Sequence, residues 1–171
     1  MRWCLLVPIM AFVLQASQPA AAQAAGPRPS QSGSVSQQVN QTTITVTYSR
    51  PVARGRELFG ALVPFGKVWT PGANEATELT VSTAVRVNGQ PLPAGTYSVW
   101  AVPGATRWDL ILNTTHPVFH LAHQEVAASD LLTVTATPRA GPHMETLAWY
   151  FPVVDGRKAR SEEHTSELQS H

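Results

Sequence analysis

The sequence predicts an all-β fold: an antiparallel β-sandwich built as a single domain. Three observations carry that expectation. Short runs alternate apolar and polar residues and are rich in Val, Ile, Thr and aromatics, Gly/Pro/Asn turn signals separate them at short intervals, and no apolar 3.6-residue period persists beyond one short stretch. About seven strands at this spacing suit a sandwich.

In chain order, residues 1–24 have the parts of a secretory signal peptide. Met1-Arg2 supply a positive charge, residues 3–14 form an apolar run, and Ala22-Gln23-Ala24 fits the small-x-small cleavage rule. The run falls short of the roughly 20 apolar residues that cross a bilayer, so cleavage before Ala25 is preferred to a membrane anchor. Cys4 comes too early for a lipid anchor. Residues 25–38 are Pro, Ser, Gly and Gln with little to bury, and are expected to form a flexible lead.

The domain is expected over residues 39–159. Residues 43–48 alternate with Ile44, Val46 and Tyr48 on one face, and Arg50-Pro51 ends that strand. Residues 53–66 lack alternation and carry Gly and Pro. Residues 78–82 and 85–87 read as strands, the second leading into Asn88-Gly89, a strong hairpin signal. Further strands are expected at 96–102, 108–112, 131–137 and 146–151, with one helix at 118–128 after Pro117. Residues 160–171 resemble the frame translation of a sequencing-adapter oligonucleotide. On that reading native sequence stops near Ala159, His164 and His171 carry no meaning, and the sandwich is truncated at its C-terminal edge.

Composition excludes several functions. Residues 25–159 hold ten Lys/Arg against eight Asp/Glu, which is no footprint for nucleic acid or an anionic membrane. The one cysteine is Cys4, so the mature chain has neither disulfide nor thiol chemistry. No nucleophile elbow, P-loop or dinucleotide fingerprint is present, and no cofactor is expected.

Residues 44–104 resemble domain of unknown function 2911, a family of exported bacterial proteins. The resemblance rests on Tyr48-Ser49-Arg50-Pro51, Gly55-Arg56, Phe59-Gly60, Leu62-Val63-Pro64, Val68-Trp69, Gly72-Ala73-Asn74-Glu75-Ala76-Thr77 and Leu92-Pro93-Ala94-Gly95-Thr96-Tyr97-Ser98. Two features depart from the family pattern: Thr70-Pro71 follows Trp69 in place of Arg, and a His-bearing segment at 116–123 replaces an aromatic-Gly-aromatic stretch. The resemblance implies a periplasmic or secreted protein with no transmembrane segment in its mature chain, and implies no chemistry.

The candidate site gathers Arg50, Arg56, Trp69, Asn74 and Glu75, which flank the turns around an apolar stretch. Two guanidiniums, an amide and a carboxylate beside a Trp could bind a carboxylate or a sugar. Equally, Glu75 could pair with Arg50 or Arg56 and pin the loops. The expected function is non-catalytic binding of a small molecule, glycan or envelope partner. The alternatives are a hydrolase using Glu75 with Arg50 or Arg56, and a purely structural domain. Glycoside chemistry generally wants two carboxyl groups, and nothing in the sequence places Asp109 near Glu75. His116, His120 and His123 have helical spacing compatible with zinc, but Pro117 disturbs the first turn and no HExxH motif appears, so no metal is expected. His143 is a loop residue. Asn40-Gln41-Thr42 and Asn113-Thr114-Thr115 match a glycosylation sequon that matters only in a eukaryotic secretory pathway.

Overall fold

The computed structural model describes residues 28–164. The signal-peptide expectation and the end of the adapter-like stretch lie outside those residues. Antiparallel strands dominate. One sheet has six strands in the order β1 (Gln31–Val39), β2 (Thr42–Arg50), β3 (Thr77–Val81), β6 (Gly95–Val102), β7 (Trp108–Asn113) and β8 (Asp130–Ala136). Two hairpins complete the fold: β4 (Val85–Val87) with β5 (Gln90–Leu92), and β9 (Ala148–Asp155) with β10 (Lys158–His164).

Alternation along each strand sorts the sheet into two unlike faces. The registers Val46↔Leu79, Leu79↔Tyr97, Val99↔Leu112 and Leu112↔Leu132 put these apolar residues on one face. Leu92, fully buried, brings β4–β5 down on that face beside Val81 and Val134. Leu147, Trp149 and Phe151 bring in the second hairpin against Val46 and Tyr48. The second layer of the sandwich is therefore two separate hairpins and not a continuous sheet. On the opposite face Trp100 and Ile111 are buried with Ala76 under Val118 and Val126. Ser98 and Asn113 on that face are buried as well, and toward β1 and the start of β6 it carries Ser and Thr paired across strands, as Ser36 with Thr45 (2.9 Å) and Thr80 with Thr96 (3.0 Å).

Turn chemistry behaves as the sequence implies at Asn88-Gly89. Both residues have positive φ, 48° and 81°, as a two-residue type I′ hairpin requires. The same turn protects the sheet edge. The side-chain amides of Asn88 and Gln90 donate to the outer carbonyls of Thr135 (2.8 Å) and Thr133 (3.3 Å) on β8.

Three local expectations are corrected. Residues 31–38 are not a flexible lead but most of β1, which pairs residue for residue with β2 over nine positions. The strand has almost no apolar residues because it is an edge held by backbone hydrogen bonds, with only Val39 buried and Val35 packed on the core. The expected helix at 118–128 shrinks to α1 (His123–Val126) and a 3-10 turn (Ala127–Ser129). Its first half is used otherwise: the Val118 carbonyl accepts from the Ala76 amide (2.8 Å), and Phe119 bridges to Glu75. The last expected strand starts at Ala148 and continues to Asp155, and β10 runs across Ala159 into the adapter-like stretch.

Candidate functional site

The residues at 68–77 fold into a keystone between β2, β3 and β6. Trp69 exchanges both backbone hydrogen bonds with Ala101 (2.8 and 2.7 Å), extending the sheet beyond the start of β3. Thr70 and Thr77 are both buried. The Thr70 hydroxyl donates to the Val99 carbonyl (2.9 Å) and accepts from the Thr77 amide (3.2 Å). The Thr77 hydroxyl donates to the Pro71 carbonyl (2.8 Å), to which the Trp149 indole also donates (3.3 Å). Both buried hydroxyls of this turn thus have partners, as burial demands. The Trp69 ring is used internally, edge-on to Phe59 (5.9 Å) and Trp108 (6.2 Å).

Asn74 sits at φ 63°, a left-handed conformation that Asn tolerates better than most side chains. Its amide donates to the Ser30 carbonyl (3.2 Å) and the Ser49 hydroxyl (3.0 Å), tying the turn to the start of β1 and the end of β2. Its own carbonyl accepts from the His120 amide (3.0 Å) and lies 2.6 Å from His120 Nδ1. A carbonyl only accepts, so Nδ1 carries the hydrogen.

Glu75 meets neither Arg50 nor Arg56. Both its oxygens accept from Arg28 Nη1, at 2.8 and 2.7 Å, with both side chains more than half exposed. That hydrogen bond is the main reason the Glu75 carboxyl lies below its ordinary range, helped by a backbone hydrogen bond and opposed by desolvation. Arg50 donates from Nε to the Leu147 carbonyl (3.2 Å). Arg56 donates to the carbonyls of Ala53 (2.7 Å) and Val52 (2.9 Å). The five expected site residues are therefore dispersed. Asn74 and Glu75 line a polar cleft of about 310 Å³ with Arg28, Ser30 and Ser49, while Trp69 and the two arginines serve packing and loop carbonyls. Arg28 was missed because it lies in the stretch read as a flexible lead.

The histidines also diverge. His116 Nδ1 is 3.6 Å from Glu78, His120 binds Asn74, and buried His123 lies 3.2 Å from both oxygens of Asp130 with its ring 5.0 Å from Trp100. Among the described residues no three metal-ligating side chains converge.

A larger concavity opens between the two hairpins, an open cleft of about 1140 Å³. Its floor is the apolar sheet face at the half-buried Ile44, Leu79 and Leu110, with Val81 and Val134 at its edge where β4–β5 covers them. Val85 and Val87 of β4 form one wall, and Trp149 and Phe151 of β9 form another. Phe59 and Trp108, 4.8 Å apart, also line it. Nothing in the sequence marks this cleft, because each residue reads locally as one position on a half-buried strand. Only the separation of the hairpins leaves the middle of the face uncovered.

The fold and clefts define an all-β protein with an open two-layer arrangement. The chain belongs to the family described as protein of unknown function (DUF2911), whose model matches residues 30–162. That match takes in β1 and reaches into β10. Searches of the curated proteins and of the solved structures each return no match. Among the described residues no helix is long and apolar enough to cross a membrane.

Proposed function

We propose that the chain is an exported, non-catalytic binding protein whose ligand is a small molecule with an apolar body, seated between the two hairpins. The observation that carries this reading is the cleft of about 1140 Å³ with its apolar floor and aromatic walls. Binding sites are typically concave and mostly apolar, with a few polar groups, at volumes of about 300–1,000 Å³. Export is supported by the leader-like residues 1–24. The hydrolase reading has less support, because Glu75 is a single carboxylate clamped by Arg28 at the protein surface. The Asn74–Glu75 corner serves as a pin that joins β1, β2 and the 118–120 segment.

The test is a titration with the neutral fluorophore N-phenyl-1-naphthylamine. Saturable binding near one molecule per chain is expected, weakened at least tenfold by Ala136→Trp, which fills the cleft, and unchanged by Glu75→Gln. Unsaturable or absent binding with the melting temperature intact would remove the cleft as a site.

A further inference from the structure

We propose that the cleft is selective for a single-chain amphiphile with an anionic head, a fatty-acid-like carboxylate whose tail lies on the apolar floor. This rests on the binding reading above and narrows it. The charged lining of the cleft is one-sided: Arg86, Arg139, Arg157, Lys158 and Arg160 against Glu162 and Glu163. Part of that charge is already committed. Arg160 pairs with Glu162 (2.9 Å), and Arg86 donates to the Gly89 carbonyl (2.7 Å). Arg139, Arg157 and Lys158 are exposed, and no ion pair among the described residues engages their side chains. They come from separate elements: Arg139 from the loop after β8, Arg157 from the β9–β10 turn and Lys158 from the first position of β10. The cationic lining is therefore a property of the assembled cleft and not of one basic run.

The remaining polar lining is neutral, including Asn40, Thr42, Asn88, Thr135 and Thr137. An apolar floor rimmed by unpaired cations complements an apolar tail with an anionic head. It offers a cationic head no counter-charge beyond the carboxylates of β10. A two-tailed lipid in a bilayer fits less well, because the apolar surface is the bottom of a concavity between two hairpins and cannot be laid flat on a membrane. Guanidinium forks at Arg139 and Arg157 suit the two oxygens of a carboxylate.

The test is displacement of N-phenyl-1-naphthylamine by a matched set of probes: dodecanoate, dodecanol and dodecyltrimethylammonium, all below their aggregation limits. Dodecanoate is expected to bind about tenfold or more tighter than dodecanol, with dodecyltrimethylammonium weakest. The preference should shrink as salt rises toward 1 M. Lengthening the tail should tighten binding about fourfold per methylene while the floor has room. Arg139→Gln with Arg157→Gln and Lys158→Gln should abolish the preference for dodecanoate over dodecanol, with the melting temperature retained as the check on folding. All three positions precede residue 160.

Equal affinity for the three probes, with the fluorophore still bound, would overturn the head-group selectivity and leave the binding reading standing. Absence of fluorophore binding would overturn both. Co-sedimentation with anionic phospholipid vesicles, without displacement by dodecanoate, would replace the single-chain ligand by a membrane surface. A concentration-dependent dimer that excludes the fluorophore would place a second copy in the cleft and overturn the proposal.

Discussion

Replacing Gly72 by alanine should destabilise the protein, and the cause is one buried oxygen. Gly72 does not have positive φ, so its backbone alone does not require glycine. At such a site alanine ordinarily stabilises by about 0.4–1 kcal/mol, because it stiffens the unfolded chain. Here a Cβ on residue 72 would lie 2.6 Å from the Thr77 hydroxyl oxygen, where ordinary contacts begin at 3.4 Å. That oxygen cannot turn aside cheaply, since Thr77 is fully buried and its hydroxyl donates to the Pro71 carbonyl. Overpacking of this kind costs about 1–3 kcal/mol. Set against the entropic gain, the net loss is about 1–2 kcal/mol, or roughly 3–7 °C in melting temperature for a domain of this size. A double-mutant cycle followed by urea denaturation isolates the cause. Thr77→Ala removes the oxygen and costs about 1–2 kcal/mol by itself, while the Trp149 indole still serves Pro71. In that background Gly72→Ala should become neutral or slightly stabilising, whereas in Thr77→Ser, which keeps the oxygen, the loss should persist. An equal loss in the Thr77→Ala and wild-type backgrounds would refute the steric account.

Two further outcomes follow from the same geometry. The folded Glu75 carboxyl lies below its ordinary value of 4.5, so the Arg28–Glu75 pair stabilises the fold above about that pH and loses its contribution as pH falls through the folded value. The gap in urea midpoint between wild type and Glu75→Gln should therefore be small but present near pH 7, close in acid, and shrink in about 1 M salt, as befits an exposed pair. A gap that widens in acid would contradict the assignment. Leu92→Ala should cost about 2–5 kcal/mol, because the fully buried side chain is what fastens β4–β5 to the sheet. The same variant should weaken N-phenyl-1-naphthylamine binding by loosening one wall of the cleft, and retained stability would show that the hairpin is fastened elsewhere.

The features legible along the chain are local. Period-two alternation at Ile44, Val46 and Tyr48 placed β2, and Asn88-Gly89 placed its hairpin, because side-chain direction and turn φ are set by neighbours along the chain. The buried turn at 68–77 was legible as a family hallmark, though its role was open. Tertiary structure decided the rest. β1 exists because β2 offers it a row of backbone partners, information that a Gln- and Ser-rich segment does not carry in its own side chains. The partner of Glu75 came from Arg28, 47 residues away, and so was invisible to any argument from spacing. Arg50 and Arg56 turned to backbone carbonyls because those acceptors lay closer than the expected carboxylate. The cleft, finally, is a gap between two hairpins on one sheet face. A gap has no residues of its own, so it emerges only when Leu92 and Leu147 fix where each hairpin lands.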